Sequence, residues 1–189
     1  MTNRKLVRGD FLERLKEIAR QRPAGILLRE KDLTPEEYRK LAREVQSICK
    51  KAGVPCILHS FTGVAEELEA DALHLPLPLL RKLPGEDRGR FRQLGASCHS
   101  VADAREAQSL GCTYITAGHI FDTDCKRGLP GRGLEFLREV CRAVTIPVYA
   151  IGGIEPGRMA DVLAAGAAGA CVMSGPMVCG DVGTYFADF

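Results

Sequence analysis

The sequence predicts a small α/β protein: a minimal (β/α)8 barrel formed by one domain over residues 1–189. Eight short apolar runs recur between turn residues, and stretches with helical spacing follow several of them. Strands that alternate with helices are typical of a parallel sheet, and continuous runs such as GILL and VYAI are typical of parallel strands buried on both faces. Eight such units close a barrel, and a doubly wound open sheet is the alternative.

The predicted strands follow the apolar runs in chain order. They are Lys5–Val7, Gly25–Arg29, Pro55–His59, Ala72–Leu75, Gly95–His99, Tyr114–Gly118, Pro147–Ile151 and Ala170–Met173. The predicted helices are Pro35–Ala52, Ala102–Leu110, Leu134–Ala143 and Pro156–Ala165. Thr34 supplies a capping hydroxyl before Pro35, and Gly111 and Gly166 lie where helices should stop. The first strand is very short, and the last helix, within Gly180–Phe189, is truncated.

Composition narrows the class of function. The net charge is +2, which gives no indication of a nucleic-acid or membrane partner. No apolar run follows the basic N-terminus, so we predict no signal peptide and a cytoplasmic protein. None of the eight cysteines forms a CxxC pair, and we expect structural thiols in a reducing compartment.

Two loops of small residues follow the seventh and eighth predicted strands. Gly152 and Gly153 come after Ile151, and Ser174 and Gly175 come after Met173. Glycines let backbone N–H groups approach an anion closely, and these are the two loops in which phosphate sites recur in (β/α)8 barrels. The four residues therefore predict a phosphate site, and tight turns are the alternative.

A long polar loop, Gly118–Gly133, follows the sixth predicted strand. His119 begins it, at a strand end where active-site residues of barrels lie. The residues leave two interpretations open for His119: proton transfer, or a hydrogen bond to a neighbouring carbonyl. The loop cations attract an anionic substrate or are solvated, and Cys125 is a candidate nucleophile with no recognisable base. These cations are Lys126, Arg127 and Arg132.

Other polar residues also occur at strand ends. Arg29 follows the second predicted strand, where its planar fork suits a carboxylate or phosphate; a salt bridge to Glu30 or Asp32 is the alternative. The four histidines all lie at or beside strand ends, which indicates a clustered site. Their spacing matches no local zinc motif, and we predict no metal. They are His59, His74, His99 and His119.

Longer motifs resemble the thiamine phosphate synthase superfamily, and within it the TenI-type thiazole tautomerases. The matching segments cover most of the chain, and the one that contains GHIFDTDCKRGLPGRGL is the most specific. They are Arg29–Thr34, Gly53–Pro55, Asp71–Pro76, Gly95–Ser100, Gly118–Leu134, Ile146–Ile154 and Gly166–Gly175.

The resemblance implies a (β/α)8 TIM barrel that binds a phosphorylated thiazole. It implies phosphate binding by Gly152, Gly153, Ser174 and Gly175, and a general acid/base role for His119. We expect further substrate contacts from the residues Arg29, Lys31, His99 and Lys126. The resemblance implies no cofactor, and we expect a homodimer that covers the thin barrel seam.

The choice of reaction depends on departures from the superfamily pattern. Synthases of this superfamily typically hold magnesium with carboxylates after the third and fourth strands; this chain has His59-Ser60 and His74-Leu75-Pro76 there. They also usually have proline where this chain has His119. These departures predict a thiazole tautomerase, which aromatises a carboxythiazole phosphate by proton transfer. The alternatives are a thiamine phosphate synthase and a non-catalytic regulator that binds thiazole or thiamine phosphate.

Overall fold

The computed structural model describes residues 1–123, 126 and 128–189, which form an α/β fold with seven parallel strands. Two residues discussed above, Cys125 and Arg127, lie outside the described residues. The strands are β1 Ile26–Leu28, β2 Cys56–His59, β3 Ala72–Pro76, β4 Gln93–Cys98, β5 Tyr114–Gly118, β6 Val148–Ile151 and β7 Gly169–Cys171.

Four α-helices of the described residues have nine or more residues, and the others have six or fewer. In chain order, the helices are α1 Phe11–Arg20, α2 Pro35–Ala52, α3 Thr62–Glu67, α4 Leu77–Lys82, α5 Gly85–Arg88, α6 Val101–Ser109, α7 Gly133–Ala143, α8 Met159–Ala164, α9 Ser174–Val178 and α10 Val182–Ala187. Within these residues, no helix has the length and apolar character that crossing a bilayer requires.

The chain divides into two units, described separately. The first unit comprises Met1–His74 and Met173–Asp188. In it β1 and β2 are parallel neighbours, and His59 of β2 is in register with His74 of β3. Fully buried leucines and one tyrosine form its core, because each strand here is apolar on both faces. The largest are Leu15, Leu28, Tyr38, Leu58 and Leu73.

The second unit comprises Leu75–Val172 together with Phe189. Its strands β4 to β7 are parallel neighbours in chain order, and Gly118 at the end of β5 is in register with Ile151 at the end of β6. This register sets the loops after β5 and β6 side by side. The core residues with the largest fully buried side chains are Leu75, Leu80, Leu94, Ile115, Ile120 and Leu137.

Seven of the eight predicted strands are confirmed, and the first is wrong. Residues Arg4–Leu6 form a 3₁₀ turn instead of a strand. The side chain of Asn3 accepts a hydrogen bond from the Lys5 N–H, which turns the chain out of the extended conformation. Before that turn, Thr2 donates one backbone hydrogen bond to Leu27 of β1. A closed barrel of eight strands remains a prediction.

Helix α2 has the predicted bounds because its caps are strong. Thr34 and Glu37 form a capping box, and Gly53 ends the helix at a φ of 68°. The predicted helix Pro156–Ala165 is a 3₁₀ turn, Pro156–Arg158, followed by α8. The last helix, α10, is truncated as predicted and has six residues.

Candidate active site

The two carboxylates that follow Arg29 at the end of β1, those of Glu30 and Asp32, both pair with Arg4. Glu30 is buried and accepts hydrogen bonds from the Thr2 hydroxyl at 2.7 Å and the Arg4 guanidinium at 3.1 Å. Asp32 forms a bidentate pair with Arg4 at 2.7 and 2.8 Å, and this pairing holds the pKa of its carboxyl well below the usual range. No ion pair among the described residues includes Arg29, so the predicted alternative of a salt bridge to Glu30 or Asp32 is wrong.

His59 and His74 lie at the ends of β2 and β3 and are almost fully buried. Their rings are nearly parallel, with centroids 5.8 Å apart. The Nδ1 atom of His59 lies 2.7 Å from Oγ of Ser60. Ser60 has a φ of 67°, in the left-handed region that non-glycine residues seldom adopt, and its N–H donates to the carbonyl of His74. Conformations of this kind are concentrated at functional sites.

Both imidazoles are neutral near pH 7. Burial, with smaller contributions from His74, Lys31 and Arg29, lowers the pKa of His59 to about 2. Burial also lowers the pKa of His74 to about 3. Leu28 at the end of β1 is in register with Leu58 of β2, so Arg29 and His59 lie at neighbouring strand ends. The positive charges of Arg29 and Lys31 disfavour a proton on His59.

Tyr38 of helix α2 fixes the backbone beneath this cluster. Its hydroxyl donates to the Leu28 carbonyl at 2.6 Å and accepts from the His59 N–H at 2.9 Å. Its ring stacks on Phe61, with centroids 4.2 Å apart. The fully buried hydroxyl thus joins the ends of β1 and β2.

The glycine pair after β6 lies against the loop that follows β5. Gly152 and Gly153 have φ values of 99° and 63°. A Cβ at Gly152 would lie 2.9 Å from the Cα of His119, and a Cβ at Gly153 would lie 2.8 Å from the Cβ of Phe121. Only glycine fits this close approach. No described residue accepts a hydrogen bond from either glycine N–H, and such donors suit an anion.

His119 and His99 lie beside this glycine pair. His119 is half-buried, and its Nε2 donates to the Leu129 carbonyl at 3.1 Å. This is the hydrogen bond to a carbonyl that the sequence analysis gave as the alternative to proton transfer. His99 donates from Nδ1 to the Gly118 carbonyl at 2.9 Å, one residue before His119. The Gly118 carbonyl accepts, so Nδ1 of His99 carries the proton in this arrangement. The structure thus brings His99, His119 and the glycine pair together in the second unit.

The structure does not group the remaining predicted site residues with His99, His119 and the glycine pair. Ser174 and Gly175 begin helix α9 in the first unit, and a Cβ at Gly175 would clash with the Tyr185 ring. This packing explains the glycine without any ligand. Lys126 is exposed; its N–H donates to the Thr123 carbonyl, and its own carbonyl accepts from the Leu129 N–H.

The sequence did not single out two residues that shape the ends of β1 and β2. Ser60 follows His59, but the sequence does not indicate a left-handed residue there, since glycine or asparagine is the usual signal. Tyr38 shows only the spacing of a core residue on helix α2. The sequence pattern therefore predicted the strand ends but not the roles of Ser60 and Tyr38.

Comparison with known proteins relates the whole chain to one group of enzymes. A family model described as thiamine monophosphate synthase matches residues 1–175. The thiamine-phosphate synthase of Syntrophomonas wolfei is 32% identical over 189 residues, which covers 96% of this chain and 88% of that protein. The thiamine-phosphate synthase of Moorella thermoacetica is 39% identical over 165 residues, 84% of this chain and 76% of that protein.

Solved structures give the same result. Thiamine phosphate pyrophosphorylase from Pyrococcus furiosus superposes with a TM-score of 0.85 at 28% identity, over 99% of this chain and 90% of that chain. FabK from Thermotoga maritima has a TM-score of 0.64 at 19% identity, over 86% of this chain and 55% of that chain. The second likeness shows the fold alone.

These comparisons contradict the predicted thiazole tautomerase activity. The similar proteins are named thiamine-phosphate synthases or thiamine phosphate pyrophosphorylase, and their similarity covers 84% to 99% of this chain. The hydrogen bond from Nε2 of His119 to Leu129 explains the histidine without proton transfer. The resemblance to the superfamily is confirmed, whereas a particular likeness to TenI-type proteins is not. The chain belongs to the thiamine monophosphate synthase family.

Proposed function

We propose that the chain is a thiamine-phosphate synthase, a transferase that joins a pyrimidine pyrophosphate to a thiazole phosphate and releases pyrophosphate. The observation that carries this proposal is the 32% identity to a thiamine-phosphate synthase over 96% of the chain. The donor chemistry of the site supports it, because both substrates are anions and the strand ends present N–H donors and cationic side chains.

The thiazole phosphate is assigned to the glycine pair after β6. The unused N–H groups of Gly152 and Gly153 are donors held in fixed positions by the contacts to His119 and Phe121. Ser174 and Gly175 belong to the first unit, and a role for them in phosphate binding stays a prediction from the sequence. The remaining predicted substrate-binding residues are proposed on charge and position alone; they are Arg29, Lys31, His99 and Lys126.

His119 acts in this proposal as a substrate contact. Coupling a pyrimidine carbon to a thiazole ring nitrogen requires no general base, because the attacking nitrogen has a lone pair. His119 packs against Gly152 and holds the phosphate loop, and its Nε2 proton is shared with Leu129. Its effect is therefore on substrate binding.

Magnesium, which synthases of this family typically bind with carboxylates at the ends of β2 and β3, does not fit the residues of this chain. The described residues contain no group of three or more histidines, cysteines and carboxylates able to hold a metal ion. Magnesium prefers oxygen ligands, whereas these strands end in the neutral imidazoles of His59 and His74 and one hydroxyl, that of Ser60. These residues therefore do not provide the oxygen ligands that a magnesium ion would need.

The test is a coupling assay with the full chain. Purified protein is mixed with the pyrimidine pyrophosphate and the thiazole phosphate, and pyrophosphate and thiamine phosphate are measured together. We expect both products in equal amounts. Binding of thiazole phosphate without either product would favour the non-catalytic regulator and would overturn the proposal.

The His119→Ala variant tests the role of this residue in the same assay. We expect KM for the thiazole phosphate to rise about tenfold, while kcat stays within about threefold, because a ground-state contact is lost. A general acid/base would instead lose about a hundredfold or more in kcat. A fall of that size with unchanged KM would contradict the assignment.

Three further features belong to this proposal: a single domain over residues 1–189, a closed (β/α)8 barrel, and a cytoplasmic homodimer. The TM-score of 0.85 to a thiamine phosphate pyrophosphorylase over nearly the whole chain supports the first two. Sedimentation velocity tests the dimer, and a folded monomer at micromolar concentration would overturn it.

A further inference from the structure

We propose that the strand-end cluster of the first unit binds the diphosphate group of the pyrimidine substrate without a divalent cation. In this cluster, Arg29, Lys31 and the His59–Ser60 pair stand in place of metal-binding carboxylates. The proposal rests on the proposed synthase function and specifies how one of its substrates is bound.

The reaction fixes what this cluster must do. The carbon–oxygen bond between the pyrimidine methylene and the diphosphate breaks, and the leaving pyrophosphate takes the electron pair. A carbon–nitrogen bond to the thiazole ring forms, and no atom is oxidised or reduced. Negative charge grows on the leaving oxygen, so the site needs positive charge or N–H and O–H donors at that point.

Arg29 supplies the first positive charge. Its guanidinium has no ion-pair partner among the described residues, because Arg4 holds both neighbouring carboxylates. A planar guanidinium binds phosphate oxygens through two parallel hydrogen bonds. Lys31, two residues further along the chain, adds a second positive charge, which disfavours protonation of His59.

His59 and Ser60 supply a neutral donor in either tautomer. If Nδ1 carries the proton, it donates to the Ser60 oxygen and the hydroxyl proton is left to donate outward. If Nε2 carries the proton, the hydroxyl donates to Nδ1 and the Nε2 proton is left over. The left-handed conformation of Ser60 places its oxygen at 2.7 Å from the ring, so the pair is held in one arrangement.

The same cluster is unsuited to a divalent cation. The carboxylates beside Arg29 and Lys31 already have partners: Glu30 is 3% exposed and accepts from Thr2 and Arg4, and Asp32 pairs with Arg4 and Lys5. The neutral His59–Ser60 pair offers a donor toward an anion, and the two cations repel a metal ion. Charge neutralisation by side chains is the arrangement that these contacts favour.

Calorimetric titration with inorganic pyrophosphate tests the proposal directly. We expect Kd in EDTA and in excess magnesium to agree within about threefold, and Arg29→Gln to weaken binding about tenfold or more, the typical effect of losing a charge-assisted contact. Arg20→Gln, an exposed arginine on α1, is the matched control and should bind like the parent protein. Binding that appears only with magnesium, or that Arg29→Gln leaves unchanged, would overturn the proposal.

A second variant introduces the missing carboxylate. Ser60→Asp is compatible with the left-handed conformation, which aspartate adopts more readily than most residues. We expect it to weaken pyrophosphate binding in EDTA about tenfold, and magnesium to restore part of that loss. Binding as tight as that of the parent protein in EDTA would contradict a direct role for this position.

The coupling assay separates this inference from the proposed function. Equal turnover in EDTA and in magnesium would support both. Metal-free pyrophosphate binding that depends on Arg29, without coupling under either condition, would end the synthase proposal and leave the binding site in place. Coupling and binding that both require magnesium would support the synthase and overturn the inference.

Discussion

At the scale of single residues, glycines define the loop after β6. Gly153 combines a φ of 63° with a space in which a Cβ would press on Phe121. Either feature alone would select glycine, and together they leave no alternative side chain. The loop therefore presents bare N–H groups because the packing of its neighbours demands glycine there.

Replacement of Gly153 should be costly. We expect Gly153→Ala to lower the free energy of unfolding by about 2 kcal/mol or more, from the left-handed backbone and the contact with Phe121. Gly157→Ala is the matched control, since a Cβ there meets no atom within 4 Å and its φ is not positive. Urea unfolding should show Gly157→Ala within about 1 kcal/mol of the parent protein. Equal stability of the two variants would contradict this account.

At the scale of elements, helix α2 is tied to two strands by one hydroxyl. Tyr38 bonds the carbonyl of Leu28 and the N–H of His59, both buried. A helix packed only by apolar contacts could slide along the sheet, whereas two directed hydrogen bonds fix its position. The geometry of the strand-end cluster thus depends on a residue of the helix behind it.

Removal of this hydroxyl should destabilise the protein. We expect Tyr38→Phe to cost about 3 kcal/mol, because a buried carbonyl and a buried N–H lose their partner. Tyr149→Phe is the control, since no described residue hydrogen-bonds the Tyr149 hydroxyl; its cost should stay below about 1 kcal/mol. Thermal or urea unfolding measures both variants, and a cost for Tyr38→Phe as small as that of the control would show that the hydroxyl contributes little.

The elements were more predictable than their partners. Apolar runs located β1 to β7, because parallel strands buried on both faces leave a continuous signal. The three-residue run Lys5–Val7 failed, since so short a segment is decided by the hydrogen bond of Asn3. Arg4 binds Glu30 from 26 positions away, and His119 binds Leu129 across a loop. Periodicity carries no information about such contacts, so the strand ends were predicted and the pairing of charges was not.

At the scale of the whole molecule, the buried histidine pair links the site to stability. His59 and His74 are uncharged in the folded protein down to acidic pH, with pKa values of about 2 and 3. In the unfolded chain, histidine takes up a proton below about pH 6.5. Between these limits the unfolded chain binds more protons, so the stability of the protein falls as the pH falls.

This linkage predicts that the free energy of unfolding begins to fall at a higher pH than the range in which carboxylates titrate. From pH 7 to pH 5 each buried imidazole should lower the free energy of unfolding by about 2 kcal/mol, so the pair lowers it by about 4 kcal/mol. His74→Gln should remove about half of this dependence, whatever its effect on stability at pH 7. Urea unfolding at a series of pH values measures the slope. A parent protein as stable at pH 5 as at pH 7 would show that the imidazoles are charged when folded, and the donor arrangement proposed for the diphosphate would then need a different protonation state.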